Sequence, residues 1–194
     1  MIVLLSGKMG SGKSTLADSL CKEYGARHLK FADPLYEMQE AIREVCKRHG
    51  IPFEKKEGRL LQLLGTDFGR EVKGHDVWVN AAKYRAGMIQ SQDPAMMIII
   101  DDARFKNEID GFPEAFKIRL RCSRDVRKER ADAWRDTEDH ISETDLDEYD
   151  QMPEKFNLIL NTGGTTKDQT LSDAILAINR FYFKQQSTKE SGAV

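Results

Sequence analysis

The residues with the clearest chemical content stand near the start of the chain. Gly7-Lys8-Met9-Gly10-Ser11-Gly12-Lys13-Ser14 fills every fixed position of G-x-x-x-x-G-K-[ST]. The glycines Gly7, Gly10 and Gly12 let the backbone fold so that its N–H groups, with those of Lys8 and Ser11, converge on phosphate oxygens. A helix opening at the end of the motif, through Ser14 and Thr15, adds the partial positive charge of its N-terminus. Lys13 supplies a full charge to the β- and γ-phosphates, and the Ser14 hydroxyl is a ligand for Mg²⁺. The chemistry implied is binding of a nucleoside triphosphate, here taken as ATP, with Mg²⁺.

A second group of residues follows an apolar run. Ile98-Ile99-Ile100 leads directly into Asp101-Asp102, which puts two carboxylates at the end of a buried strand. In a protein with a phosphate loop, that position is where an acid meets the Mg²⁺ shell or the phosphoryl acceptor. Asp102 is taken as the metal-side and catalytic member, although the order of the two relative to the metal stays open. Arg104 is two residues on, and its forked donors suit an acceptor phosphate.

A third group is basic. Segment 117–135 holds eight Lys or Arg against Asp125, Glu129 and Asp132, a surplus of five. Arg124, Arg127 and Lys128 would share a helix face. Transfer of a phosphoryl group needs cations around its equatorial oxygens and exclusion of water, both of which a closing arginine-bearing lid provides. Segment 136–150 then carries eight carboxylates and no Lys or Arg.

These groups need a scaffold. Residues 2–6 read as a buried strand, 14–24 as an amphipathic helix and 28–32 as a short strand. Helices are predicted over 34–48, 59–64 and 76–90, with Pro34 in a first turn and Asp76 as a cap. Strands follow at 96–100, 116–120 and 158–160, then a helix from about Leu171 to Tyr182 and a polar tail that frays. The alternation predicts an α/β fold, a parallel sheet with helices on both faces. Segments 33–90 and 121–150 fit the sheet poorly and read as insertions over its carboxyl edge, where such folds bind ligands. The organisation expected is one domain: core 1–32, 91–120 and 151–183, acceptor-binding insertion 33–90, lid 121–150 and tail 184–194.

Composition sets limits. The chain has 194 residues, 30 Lys+Arg and 32 Asp+Glu. So balanced a total argues against a disordered acidic tail or a nucleic-acid coat protein. No apolar run nears the ~20 residues of a membrane span, and the N-terminus lacks the basic region of a signal peptide. Cys21, Cys46 and Cys122 lack paired spacing and read as reduced thiols of a cytoplasmic protein.

The chain resembles the phage-type deoxynucleoside monophosphate kinases, a branch of the P-loop nucleotide kinases related to phosphomevalonate kinase. Beyond the phosphate loop, the resemblance runs through Phe31-Ala32-Asp33-Pro34-Leu35 and the stretch from Leu61 to Arg70 with Asp76-Val77-Trp78-Val79. It continues in Asp102-Ala103-Arg104-Phe105-Lys106-Asn107-Glu108, His140-Ile141-Ser142-Glu143 and Asn161-Thr162-Gly163. It implies a P-loop kinase fold with monophosphate-binding and lid insertions. It also implies transfer of the γ-phosphoryl of ATP to a deoxynucleoside monophosphate (dNMP), with Mg²⁺, in the cytoplasm of a cell or of a phage host.

By matched motif, Asp33, Arg70, Trp78, Asp102 and Arg104 fall on the acceptor side. Trp78 reads equally well as a packed helix residue. Arg124, Arg127 and Arg130 fall on the ATP side, the last two as catalytic cations with Lys13, Asp102 and Arg104; Asn161 falls near adenine. His140 and Ser142 match without a role. Two departures stand out. Many relatives carry Asp where this chain has Ser14, and the phosphomevalonate kinases carry Arg where it has Phe105. The alternatives are another small-molecule kinase, of the phosphomevalonate, dephospho-coenzyme A or sugar-acid type, and a nucleotide-dependent switch or assembly ATPase. No nucleic-acid or membrane partner is expected, and a homodimer is left open.

Overall fold

A computed structural model describes residues 1–54, 57–130 and 141–191. Five strands, β1 (Ile2–Ser6), β2 (Arg27–Leu29), β3 (Ile98–Ala103), β4 (Phe116–Arg121) and β5 (Leu158–Asn161), form one sheet in the order β2-β3-β1-β4-β5. Every neighbouring pair is parallel. Parallel neighbours need crossover connections, and the helices between strands supply them. The β3 register extends to Ala103, so Asp101 and Asp102 lie within the strand's last residues rather than in a turn beyond it.

Alternation along β1 explains why both faces are covered. Val3 and Leu5 point to one side, where α1 (Lys13–Tyr24) and α8 (Lys167–Ser191) supply Leu16, Leu20, Ala174 and Ile178. Leu4 points to the other, where α4 (Val77–Gln92) supplies Val79, Ala82 and Ala86 and α5 (Lys106–Asp110) supplies Ile109. All three strand residues are fully buried. The strand therefore shows an unbroken apolar run instead of an alternating one.

Between β2 and β3 the described elements are all helices: α2 (Asp33–Arg48), α3 (Gly58–Gln62), a wider π-helical run at Leu63–Lys73, and α4. The π-helical run differs from the short α-helix predicted over 59–64. Its cause is a packing constraint: the Trp78 ring lies against the backbone of Gly69, and Trp78 Nε1 donates to the Gly65 carbonyl at 2.8 Å. A Cβ on Gly69 would stand 2.3 Å from Trp78 Cζ2, so only glycine lets the run approach the indole.

Two further differences concern helix ends. Asp76 begins α4 without a side-chain cap, its Oδ1 instead accepting from Asn107 Nδ2 at 2.9 Å. α8 runs on to Ser191, past the expected fraying point at Lys184. The residues from Lys184 to Ser191 include no glycine or proline to stop a helix. α6 (Arg124–Arg130) and α7 (Ile141–Thr144) flank residues 131–140, so Arg135 and His140 lie outside the described residues.

Candidate active site

The carboxyl ends of β1 and β3 and the N-terminus of α1 meet at one cavity of about 1310 Å³, lined by the phosphate loop and by Leu61, Thr66, Arg70 and Phe105. The loop turns between β1 and α1 as its sequence requires. Gly10 has φ +78°, and a Cβ there would lie 2.7 Å from the Arg127 carbonyl oxygen. The loop is therefore pressed against α6, and glycine is needed both for its conformation and for that approach.

Lys13 is buried and its ammonium donates to the carbonyls of Gly7 at 2.6 Å and Lys8 at 3.0 Å. Burial, with the nearby Arg104 charge, lowers its pKa to about 7, against the raising effect of Glu143 and Asp101. Thr15 also lines the cavity. Ser11 is buried in the loop, and its carbonyl accepts from Thr162 Oγ1 at 2.9 Å, which ties the β5 edge to the loop. Lys8 is ion-paired to Asp147 at 3.0 Å, not turned into the cavity by any contact of its own.

Asp101 and Asp102 have different tasks. Ser14 Oγ donates to Asp101 Oδ2 at 2.8 Å. Asp101 Oδ1 lies 2.9 Å from His28 Nε2, yet without the alignment of a hydrogen bond, so that buried oxygen is left unsatisfied. Asp102 faces the other way, accepting the backbone N–H groups of Phe31 at 2.8 Å and Ala32 at 3.0 Å. Burial raises the Asp102 pKa to about 6, against the lowering effect of those two hydrogen bonds. Of the two carboxylates, Asp101, and not Asp102, meets the Ser14 hydroxyl. Asp102 fastens the start of α2 to the end of β3, because adjacent strand residues point to opposite faces.

Asp33 and Trp78 both make contacts within the helical insertion. Asp33 Oδ2 accepts from the Lys30 backbone at 2.8 Å and from Arg85 Nη1 at 2.8 Å, which secures α2 to α4; it does not wall the cavity. Trp78 does border the cavity, but its only polar group is committed to Gly65.

Arg70 and Arg104 both line the cavity. Arg70 Nη2 pairs with Glu108 Oε1 at 3.0 Å, and its guanidinium stacks 3.9 Å from the Phe105 ring centre. Arg104 Nη1 pairs with Glu143, whose second oxygen accepts the Met9 N–H at 2.9 Å. Glu143 therefore bridges the phosphate loop and Arg104. Its burial, and that of Glu108, marks both as functional candidates that residue-type reasoning missed. Their only signal was membership of the Asp102–Glu108 and His140–Glu143 motifs. Burial raises the Glu108 pKa to about 7, against the lowering effect of the Arg104 N–H and Arg70.

The arginines of α6 are placed unequally. Arg127 is buried and donates to the Met9 carbonyl at 3.1 Å, so it already abuts the phosphate loop. Arg130 donates to the Thr162 carbonyl at 2.9 Å and borders the cavity. Arg124 opens α6 on its exposed side. Asn161 ends β5, with Oδ1 accepting the Gly163 N–H at 3.1 Å. Ser142 borders the cavity.

A parallel 2-3-1-4-5 sheet with a phosphate loop at its first strand is the architecture of the small P-loop kinases. The chain belongs to the AAA domain family, whose profile matches residues 3–151. That span takes in the phosphate loop, the Asp101–Asp102 strand end and the acidic segment. Solved structures similar in fold include a shikimate kinase from Aquifex aeolicus vf5 (TM-score 0.54, 14% identity, 92% of this chain and 96% of that one). A gluconokinase from Sinorhizobium meliloti 1021 is comparable (TM-score 0.53, 16% identity, 94% and 95%). So is a sugar kinase from Janibacter sp. HTCC2649 (TM-score 0.52, 17% identity, 92% and 94%). No curated protein matches the sequence. All three cysteines are free thiols, and among the described residues no helix is long and apolar enough to cross a membrane.

Proposed function

We propose that the protein is a nucleotide kinase that transfers the γ-phosphoryl of ATP to a deoxynucleoside monophosphate, giving ADP and dNDP. The observation that carries this reading is that two guanidinium groups, Arg70 and Arg104, line the same cavity as the phosphate loop. Two guanidinium groups at the acceptor end suit a substrate that already bears a phosphate. The carboxylates lining the cavity support the same reading. Asp102, Glu108 and Glu143 are engaged with protein donors through both oxygens, and Asp101 is engaged through Oδ2. A hydroxyl acceptor needs a base to take its proton, whereas a monophosphate is already ionised and needs none.

Mg²⁺ fits the donor set. Ser14 and Asp101 offer adjacent hard oxygens beside the phosphate loop, and the unsatisfied Asp101 Oδ1 leaves acceptor capacity there. Among the described residues no cluster of three or more His, Cys, Asp or Glu exists to hold a metal alone. The ion would therefore arrive with ATP and share its phosphate oxygens. When bound, it would neutralise charge on the transferring group. The chain's own residues do the rest: loop N–H groups and Lys13 orient the β- and γ-phosphates, Arg127 and Arg130 flank the donor from α6, and Arg104 and Arg70 hold the acceptor in line. Catalysis is positioning plus charge neutralisation, with no covalent intermediate.

A second reading takes a small hydroxy acid as acceptor, as the names of the shikimate kinase and gluconokinase suggest. A substrate carboxylate would also pair with Arg70 and Arg104. The deciding experiment measures ADP formation with ATP·Mg²⁺ against the four dNMPs, the NMPs, phosphomevalonate, dephospho-coenzyme A, shikimate and gluconate. Turnover with at least one dNMP well above the acids is expected. Turnover confined to an acid, or ATP hydrolysis indifferent to every acceptor, refutes the proposal.

A further inference from the structure

Glu108 is a buried residue of the cavity lining. Its carboxylate is divided between two tasks. Oε2 accepts the backbone N–H groups of Arg104 at 2.8 Å and Phe105 at 3.1 Å, closing the N-terminus of α5 as the returning half of a capping box. Oε1 accepts from Arg70 Nη2 at 3.0 Å. Arg70 comes from the π-helical run and Arg104 from the β3–α5 connection, so one side chain fixes elements far apart in sequence.

The Phe105 ring, 3.9 Å under the Arg70 guanidinium, restricts the same group from its flat face. The guanidinium is thus held by a carboxylate at one edge and by an aromatic ring below, and its Nη1 donates to the His75 carbonyl at 3.5 Å. Glu108 is 3% exposed and Arg70 side-chain exposure is 13%, so little water competes for the pair.

We infer that Glu108 is a positioning residue of the acceptor site, which holds Arg70 and the Arg104 backbone in register as one anion clamp. The inference rests on the assignment of Arg70 and Arg104 to the acceptor. The split between the two oxygens makes it separable from mere folding. In Glu108→Gln the amide oxygen can keep both backbone hydrogen bonds, while its NH₂ faces Arg70 and cannot accept from it. That variant releases Arg70 and spares the α5 cap.

The experiment compares wild type, Glu108→Gln, Arg70→Ala and the double variant. The expected result for Glu108→Gln is a rise of about tenfold in acceptor KM, with the ATP KM and melting temperature close to wild type. In the Arg70→Ala background the same change should add little, because the group it positions is gone. Arginine side-chain NMR relaxation should show the Arg70 guanidinium ordered in wild type and mobile in Glu108→Gln. An unchanged acceptor KM, equal rises in both KM values, additive effects in the double variant or an Arg70 that stays ordered would each overturn the inference. Should wild type phosphorylate none of the acceptors, the acceptor assignment fails. The NMR arm still decides whether Glu108 positions Arg70.

Discussion

At the scale of single residues, the adjacent carboxylates Asp101 and Asp102 show how one position along a strand changes chemistry. Alternation sends Asp101 to Ser14 and Asp102 to the Phe31 and Ala32 N–H groups. Asp101→Asn should therefore lower kcat with ATP·Mg²⁺ by on the order of 100-fold, with the melting temperature little changed. Asp102→Asn retains an oxygen for only one of two N–H donors and should cost about 1 kcal/mol of stability with a smaller effect on kcat. Parallel steady-state kinetics and thermal unfolding of the two variants test this; equal kinetic losses would show that the division of tasks is mistaken. Sequence placed both carboxylates at a strand end. It did not separate them, because the facing of a strand residue depends on where the register begins.

At the scale of elements, the helical insertion before β3 owes its shape to contacts that periodicity does not encode. Apolar spacing gives helices over 34–48 and 76–90, and α2 and α4 lie there. The π-helical run between them has no comparable signature, since its winding follows from Gly65 and Gly69 meeting Trp78. Gly69→Ala puts a methyl into a buried ring and should destabilise by about 1–3 kcal/mol. Arg70 is the next residue, so acceptor KM should rise in the same variant while ATP KM holds. Chemical denaturation and acceptor kinetics check the pair of effects. A neutral Gly69→Ala would mean that the indole moves aside and does not set the run.

At the scale of the whole molecule, the residues that balance the charge pair across elements. Glu143 pairs with Arg104, Asp147 with Lys8, Glu148 with Lys106, and Asp150 with both Arg119 and Arg121. The acidic segment thus occupies cations and one loop N–H that phosphates would also seek. On the proposed function, ATP and a dNMP together would compete for Met9 N–H and Arg104. Hydrogen exchange over residues 141–150 should therefore change on adding both, relative to either alone. Unchanged protection would show that the segment stays docked throughout and acts only as structure.

Sequence by itself determined the parts of this protein that depend on local order. The phosphate loop is contiguous, so Lys13 and Ser14 were legible as a triphosphate site before any fold was known. The apolar runs were long enough to give a parallel sheet with helices on both faces, and the charge reversal after residue 135 was plain in composition. Tertiary structure alone decided which partner each charged group meets. Glu143 reaches Met9 across 134 positions, and Ser14 reaches Asp101 across 87. Glu108 reaches Arg70 across 38. Such pairings are set by the strand order and by the depth at which each helix packs, and both are properties of the assembled sheet. That is why the same sequence that announced its phosphate loop gave no role to Glu108.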